Sequence, residues 1–229
     1  PCPMQALDLA DDAEFDLVIL PYQVWYLAPS IPVMSFLKSD QAKRLLKGKP
    51  VITVIACRNM WFKAQEKMQT LLNDVGAQLT DNIALTDPNS TLATLITTPR
   101  WLWFGKKTPF WGLPAAGLTE AQVRGTRRFG LALCTALRNG EEKTGKPMLQ
   151  GLQAVNANPH LLASERAGTH SFRIWGSWIS KLGPPGAPQR KPMLALYTAF
   201  LILLIICVVP ISLSVQMLLR PFMKLKFTQ

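Results

Sequence analysis

FDLVILPYQVWYLAPSIPVMSFL, residues 15–37, is the stretch whose reading decides the fold. It leaves an acidic segment, runs apolar through DLVIL at 16–20, and passes into a loop marked by Pro21, Pro29, Ser30 and Pro32. A short apolar run without alternation is what a strand buried in a parallel sheet requires. Outward from it, a helix is expected over about 35–46, ended by Gly48. VITVIA at 51–56 is β-branched and entered through Lys49 and Pro50, and a loop at 58–61 follows. Residues 63–75 read as an amphipathic helix, with Ala64, Met68, Leu71, Leu72 and Val75 at helical spacing and Gly76 as the stop. A third strand falls within 77–85. Strand and helix alternate over about 70 residues, which predicts an open parallel sheet with helices on both faces.

Further along, residues 94–112 carry Trp101, Trp103, Phe104, Phe110 and Trp111 between Pro99 and Pro114, and read as a β-excursion or a long loop. Residues 119–139 read as a helix with a capping box at Thr119 and Gln122 and a stop at Gly140. Its apolar stripe includes Val123, Phe129, Leu133 and Leu137. Residues 141–147 are a charged linker. Residues 149–182 are mostly helical with breaks at Pro159 and Gly168, and GPPGAP at 183–188 is a hinge. Residues 192–219 hold no formal charge, and roughly 20 apolar residues suffice to cross a bilayer. The expected organisation is a partial α/β domain at 1–147, a helical juxtamembrane linker at 148–191, a transmembrane helix at 192–219 and a short basic tail at 220–229.

The formal net charge is +11, which raises nucleic acid as a partner. The basic residues, however, lie in small scattered clusters, and Arg190/Lys191 and Arg220/Lys224/Lys226 flank the apolar run, where lysine and arginine meet lipid headgroups. The expected partners are therefore the bilayer and a small or lipid-like molecule, not nucleic acid; oligomeric state is not legible. Cys2, Cys57, Cys134 and Cys207 show no metal or disulfide spacing, and two histidines, His160 and His170, make a multi-histidine metal site improbable. Residues 1–10 lack the basic start and apolar stretch of a signal peptide. With Pro1 as the first residue, the expectation is a fragment whose N-terminal strands are missing.

The stretches DLVILPYQVWYLAPSIPVMSFL, GKPVITVIACRNMW, GAQLTDNIAL, TTPRWLWFGKK and LPAAGLT together resemble the flavodoxin-like superfamily. More narrowly, they resemble bacterial proteins catalogued as dialkylresorcinol condensing enzymes. The resemblance covers roughly 15–139 and implies a five-stranded parallel sheet in the order 2-1-3-4-5 with FMN at the carboxyl ends of its strands. Strands 3, 4 and 5 fall at 16–20, 51–56 and within 77–85; strand 1, with its Ser/Thr-rich phosphate loop, has no counterpart in the sequence. The loop after strand 3 implies Trp25 and Tyr26 as stacking faces for the flavin ring, with Gln23 as a ring-edge hydrogen bond. The bland alternative for the two aromatics is a core or lipid-facing role.

The loop after strand 4 turns Arg58 and Asn59 toward the same crevice, where a cation would stabilise a reduced, anionic flavin or a developing enolate; a structural salt bridge or carbonyl clamp is the alternative for Arg58. Cys57 is a conceivable acyl nucleophile, but no histidine lies nearby to activate it, and a buried structural cysteine is the simpler reading. TTPRW at 97–101 resembles a family-specific turn, which implies Arg100 and Trp101 at a substrate; a loop anchor is the alternative for Arg100. Lys106 and Lys107, beside tryptophans, are alternatively placed on a headgroup layer. GxGxxG, P-loop, GxSxG and HExxH patterns do not occur. Three functions follow: a membrane-anchored FMN-dependent oxidoreductase acting on a quinone or lipid-like substrate, a lipid-condensing or cyclising enzyme, or a ligand-free scaffold. For each, the expected location is the bacterial inner membrane, single-pass, with the soluble domain cytoplasmic.

Overall fold

The computed structural model describes residues 2–5, 7–10 and 13–208. The chain divides into two units, 1–169 and 170–229.

The first unit is a mixed α/β structure on a four-stranded, mostly parallel sheet in the order β2-β1-β3-β4. β1 is Val18–Trp25, β2 Ala28–Pro29, β3 Pro50–Cys57 and β4 Gln78–Thr86. β1 and β4 run parallel to β3 on either side of it. The helices between them, α1 (Ile31–Leu37), α2 (Asp40–Leu46) and α3 (Phe62–Asp74), cover one face. There Leu37, Ala42, Leu46, Met68 and Leu72 pack on Leu20, Tyr22, Val51 and Ile55. The other face carries α6 (Arg127–Arg138), whose Phe129, Leu133 and Ala136 meet Ile52 and Ile83. β3, central in the sheet, is thus covered on both sides, which is why VITVIA is apolar without alternation.

Several sequence expectations shift. The helix expected over 35–46 is two helices, because Ser39 leaves the first and caps the second, accepting from Ala42 N at 3.1 Å. β1 does not stop at Leu20: it continues through Pro21 to Trp25, with Leu20 and Tyr22 buried and Ile19, Pro21, Gln23 and Trp25 exposed. Proline is tolerated here because of strand parity. Ser30 N donates to Gln23 O at 2.9 Å, so Gln23, and Pro21 two residues back, turn their backbone to the outer edge, where no N–H is needed. Gln23 and Trp25 therefore stand on a strand, not in a loop. The loop shrinks to Tyr26 and Leu27, both at positive φ (51° and 59°), a two-residue hairpin turn.

Of the region expected as a β-excursion or loop, 94–112, the first part belongs to α4, Thr91–Phe104, with Pro99 inside it, and the part after Gly105 is a loop with a bridge between Phe110 and Leu113. The helix expected over 119–139 breaks at Thr126 into α5 (Glu120–Gly125) and α6, and the Thr119–Gln122 capping box is present. The segment expected as a helical linker, 148–191, is helical over Leu162–Ser180 but not at its start. Asp81 accepts from Met148 N at 2.7 Å and Leu149 N at 3.3 Å, and Ala84 N donates to Ala154 O at 2.9 Å. Residues 148–154 thereby cover the outer edge of β4 and belong to the first unit.

α7 (Leu162–Ser180) begins in the first unit. In the second, Trp175 packs on Trp178, Tyr197 and Phe200 with ring centroids 5.6, 5.2 and 5.1 Å apart. α8 (Lys191–Leu203) continues into a π-helical turn, Leu204–Val208. The helical stretch Pro188–Cys207 is long and apolar enough to cross a membrane, and none of it is buried. The remainder of the expected span, 209–219, and the basic tail, 220–229, lie outside the described residues.

Candidate functional site

Parallel strands end together, so the turns after β1, β3 and β4 share the carboxyl edge of the sheet. A cavity of about 390 Å³ opens there, lined by Asn59–Phe62 after β3, by Thr86–Asn89 and Thr91 after β4, and by Asn156–Pro159 and Leu161. Its volume falls within the range of small-molecule sites, about 300–1,000 Å³. Its polar lining consists of side-chain amides (Asn59, Asn89, Asn156, Asn158), Thr86, Thr91 and Asp87. The first turns of two helices, α3 at Phe62 and α4 at Thr91, also reach it. Helix N-termini carry positive partial charge, but the Asp87 carboxylate lies in the same lining and the Glu165 carboxylate meets the first turn of α3, so the polarity of the cavity is mixed.

Asp87 builds the rim. Its N–H is shared between Cys57 O and Arg58 O, both at 3.1 Å. Its buried carboxylate accepts from Asn89 N at 2.9 Å and from Gly117 N at 2.7 Å. One side chain thus ties the ends of β3 and β4, the entry to α4 and the 105–117 loop. Asn89 donates its amide to Ala115 O at 2.8 Å in the same sense. Asp81 and Asp87 each serve backbone N–H groups in this way. Gly117 sits at φ 80°, and a Cβ there would lie 2.9 Å from the Trp101 ring. Gly117→Ala is expected to destabilise the unit by about 1 kcal/mol or more in a denaturant melt.

The sequence-based site residues spread along this edge rather than converging. Asn59 lines the cavity. Arg58 lies beside it, with Nε 3.5 Å from Asn59 Oδ1; burial pulls its guanidinium down and the Asp87 carboxylate opposes that. Trp25 Nε1 donates to Gln23 Oε1 at 3.0 Å at the end of β1, and Tyr26 follows in the turn; none of the three lines the cavity. Arg100 is a loop anchor: Nη1 donates to Lys106 O at 3.1 Å and Thr108 O at 2.7 Å, with the guanidinium over Phe110. Trp101 lies against Gly117 and under Lys107.

Comparison with protein-family models, curated proteins and solved structures gave no match. The site is therefore read from its own chemistry.

Two groups behind the cavity sharpen that reading. Glu165, fully buried on α7, accepts from Lys63 N at 2.8 Å at the start of α3, whose own N-cap position is Trp61 and offers no side-chain cap. A carboxylate from 102 residues away does what a local Ser or Asp would do. Gly168 lets α7 approach, since a Cβ there would lie 2.8 Å from Leu27 Cδ1 in the β1 turn. Cys57, half-buried at the end of β3, has its thiol pushed up to about 12, by burial first and by the Glu165 carboxylate second. A raised thiol disfavours the thiolate, which supports the buried structural reading of Cys57 over the acyl nucleophile. In the folded protein Cys57 is expected to resist iodoacetamide at pH 7.5, a test condition near neutrality, while exposed Cys134 reacts; rapid labelling of Cys57 would contradict its burial. The sign for stability follows. The thiol's contribution is complete below its ordinary value of 9.0 and is lost as pH rises toward 12.

Beneath α3 a polar relay crosses the sheet. Tyr22 Oη donates to Gln65 Oε1 at 2.7 Å, Gln65 Nε2 to Thr53 Oγ1 at 3.0 Å, and Thr53 Oγ1 to Asn82 Oδ1 at 3.0 Å. It satisfies polar groups in an otherwise apolar layer, and burial pushes the Tyr22 hydroxyl up, with Cys57 adding to the shift. Among the described residues no group of three or more His, Cys, Asp and Glu could hold a metal ion. Asn89 and Asn156 were missed from sequence. TDPNS at 86–90 signals a turn and a helix cap, but nothing in the sequence says that 156–161 returns to the sheet edge.

Proposed function

We propose that this chain is a membrane-anchored, flavodoxin-like protein that holds FMN at the carboxyl edge of its sheet and acts as an oxidoreductase on a quinone or lipid-like substrate. The observation that carries the reading is the cavity at the ends of β3 and β4, where two helix N-termini and several amides converge. Open α/β sheets bind ligands at this edge. The order β1-β3-β4 is the order that flavodoxin-like strands 3, 4 and 5 take. The apolar stretch Pro188–Cys207 supports a single-pass anchor. A bacterial plasma membrane with the α/β unit on the cytoplasmic side is part of the proposal.

The residues present support the ring of the cofactor in part, since Asn59 lines the cavity while Trp25 and Arg58 stand outside its lining. Asn59 offers amide hydrogen bonds inside the cavity, Trp25 presents a flat face on the same edge of the sheet, and Arg58 places positive charge beside Asn59. Among the described residues no Ser/Thr-rich turn follows a strand on the open side of β1, so the fit covers the ring and not the phosphate. Bound flavin would supply the electron-transfer chemistry; Asn59 would hydrogen-bond the ring and Arg58, beside it, would favour negative charge near it. The condensing alternative draws no support from Cys57, because its thiol is held protonated.

The full chain, purified in mild detergent with FMN and reduced anaerobically, is expected to show a protein-bound flavin spectrum that reoxidises on addition of a quinone. A folded preparation that leaves the flavin spectrum unchanged would overturn the reading and favour the scaffold function.

A further inference from the structure

α4 is built inside out. Its buried residues are the small Ala93, Thr94 and Thr97, while Leu92, Ile96 and the C-terminal run Leu102, Trp103 and Phe104 are exposed, Trp103 at 71%. Large apolar side chains turned outward over small polar ones turned inward is the reverse of what water selects. The loop that follows carries a further exposed aromatic. Phe110 N donates to Leu113 O at 3.1 Å and Leu113 N to Phe110 O at 2.8 Å, closing a two-residue turn whose tip is Trp111. Trp111 stands at φ 47°, a left-handed backbone that a bulky side chain rarely adopts, and is 90% exposed. Arg100 fixes the loop from within, through the carbonyls of Lys106 and Thr108 and its stack on Phe110. The turn is therefore held in shape, and its tryptophan, stacked on Phe110 with ring centroids 4.9 Å apart, still leaves most of its surface to solvent.

The charge on this surface has one sign. Between residues 88 and 119 there is no Asp or Glu, and Arg100, Lys106 and Lys107 are the charged residues. Exposed tryptophan and phenylalanine beside lysine is the composition of the headgroup–acyl boundary, where indole bodies enter the lipid and ammonium groups meet anionic phosphates. We propose that the face formed by Leu102, Trp103, Phe104 and Trp111, with Lys106 and Lys107 at its margin, is a second membrane contact that seats on an anionic bilayer. A protein groove would match the apolar area but gives no reason for the uniform positive charge. This inference rests on the reading that Pro188–Cys207 anchors the chain, since that anchor would tether the chain at a bilayer.

The test is hydroxyl-radical footprinting of the full chain in nanodiscs of phosphatidylcholine alone or mixed with phosphatidylglycerol, with co-elution of chain and disc checked first. Oxidation of Trp103 and Trp111 is expected to fall several-fold in the anionic discs relative to exposed Met4, and protection to weaken in high salt and in Lys106→Glu. Leu102→Ser with Trp103→Ser, both on outward positions, is expected to keep the fold and lose protection at Trp111. Oxidation of both tryptophans in proportion to their exposure in co-eluting discs would overturn this contact and leave the anchor standing. Protection that ignores lipid charge and grows with protein concentration would overturn it in favour of a protein partner. A chain that associates with neither disc would overturn both readings.

Discussion

Asp87→Ala is expected to lower the stability of the first unit by about 3 kcal/mol. The substitution removes the acceptor for Asn89 N and Gly117 N while both stay positioned for it. Each lost charge-assisted hydrogen bond is worth roughly 1.5–3 kcal/mol, and a buried donor left unmet adds its own desolvation cost. Relaxation of the 105–117 loop toward water offsets part of the sum. In a unit of this size the loss corresponds to roughly 6–12 °C in Tm. Asp87→Asn keeps one oxygen but presents an amide donor to the second N–H, and is expected to cost about half as much. The pair of melts, read by circular dichroism, checks the assignment: a silent Asp87→Ala would mean that the carboxyl edge does not depend on this side chain. Because Asp87 also lines the cavity, the alanine variant is expected to lose flavin binding under the proposed function.

Glu165→Ala is expected to cost about 2 kcal/mol, and Glu165→Gln less than half of that. The carboxylate caps α3 through Lys63 N, and alanine leaves that first turn without an acceptor in a buried place. Glutamine keeps an acceptor oxygen and removes a charge that burial opposes. The pH dependence separates the two effects. Burial raises the Glu165 carboxyl above its ordinary value of 4.5, and hydrogen bonds from Lys63 and Phe62 N–H and the Lys63 charge offset only part of that shift. A raised carboxyl contributes stability that is complete below 4.5 and is lost as pH rises through the folded value. Wild type is therefore expected to gain stability relative to Glu165→Gln as pH falls from neutral toward 4.5, when melts of the two are compared. A pH-independent difference between them would contradict the buried, raised carboxyl.

The core of the fold was legible in the chain. VITVIA and the Ala64–Met68–Leu72 spacing state their environment directly, and β3 and α3 fall where those residues put them. What failed had a physical cause in each case. β1 passes through Pro21 because only an edge strand can spare an N–H, and whether a strand is at an edge is a tertiary fact. Residues 91–104 are rich in threonine, isoleucine and aromatics and contain a proline, a local bias against helix that Ser90 overrides by capping Ala93 N at 3.3 Å. Of the expected site residues, Asn59 lines the cavity, because a residue just after a buried parallel strand reaches the carboxyl edge. Arg100 read as a ligand contact but holds carbonyls. Glu165 was invisible, since a cap donated across 102 residues leaves no local pattern.

The most direct test of the central claim, that the carboxyl-edge cavity holds a flavin, is an FMN titration of the full chain followed by flavin fluorescence, with Asn59→Trp as the cavity-filled control. Quenching that saturates in the wild-type chain and weakens at least about tenfold in the variant, a difference of about 1.4 kcal/mol, is the predicted result. No quenching by a chain whose circular dichroism shows it folded, or equal binding by the two proteins, would contradict it.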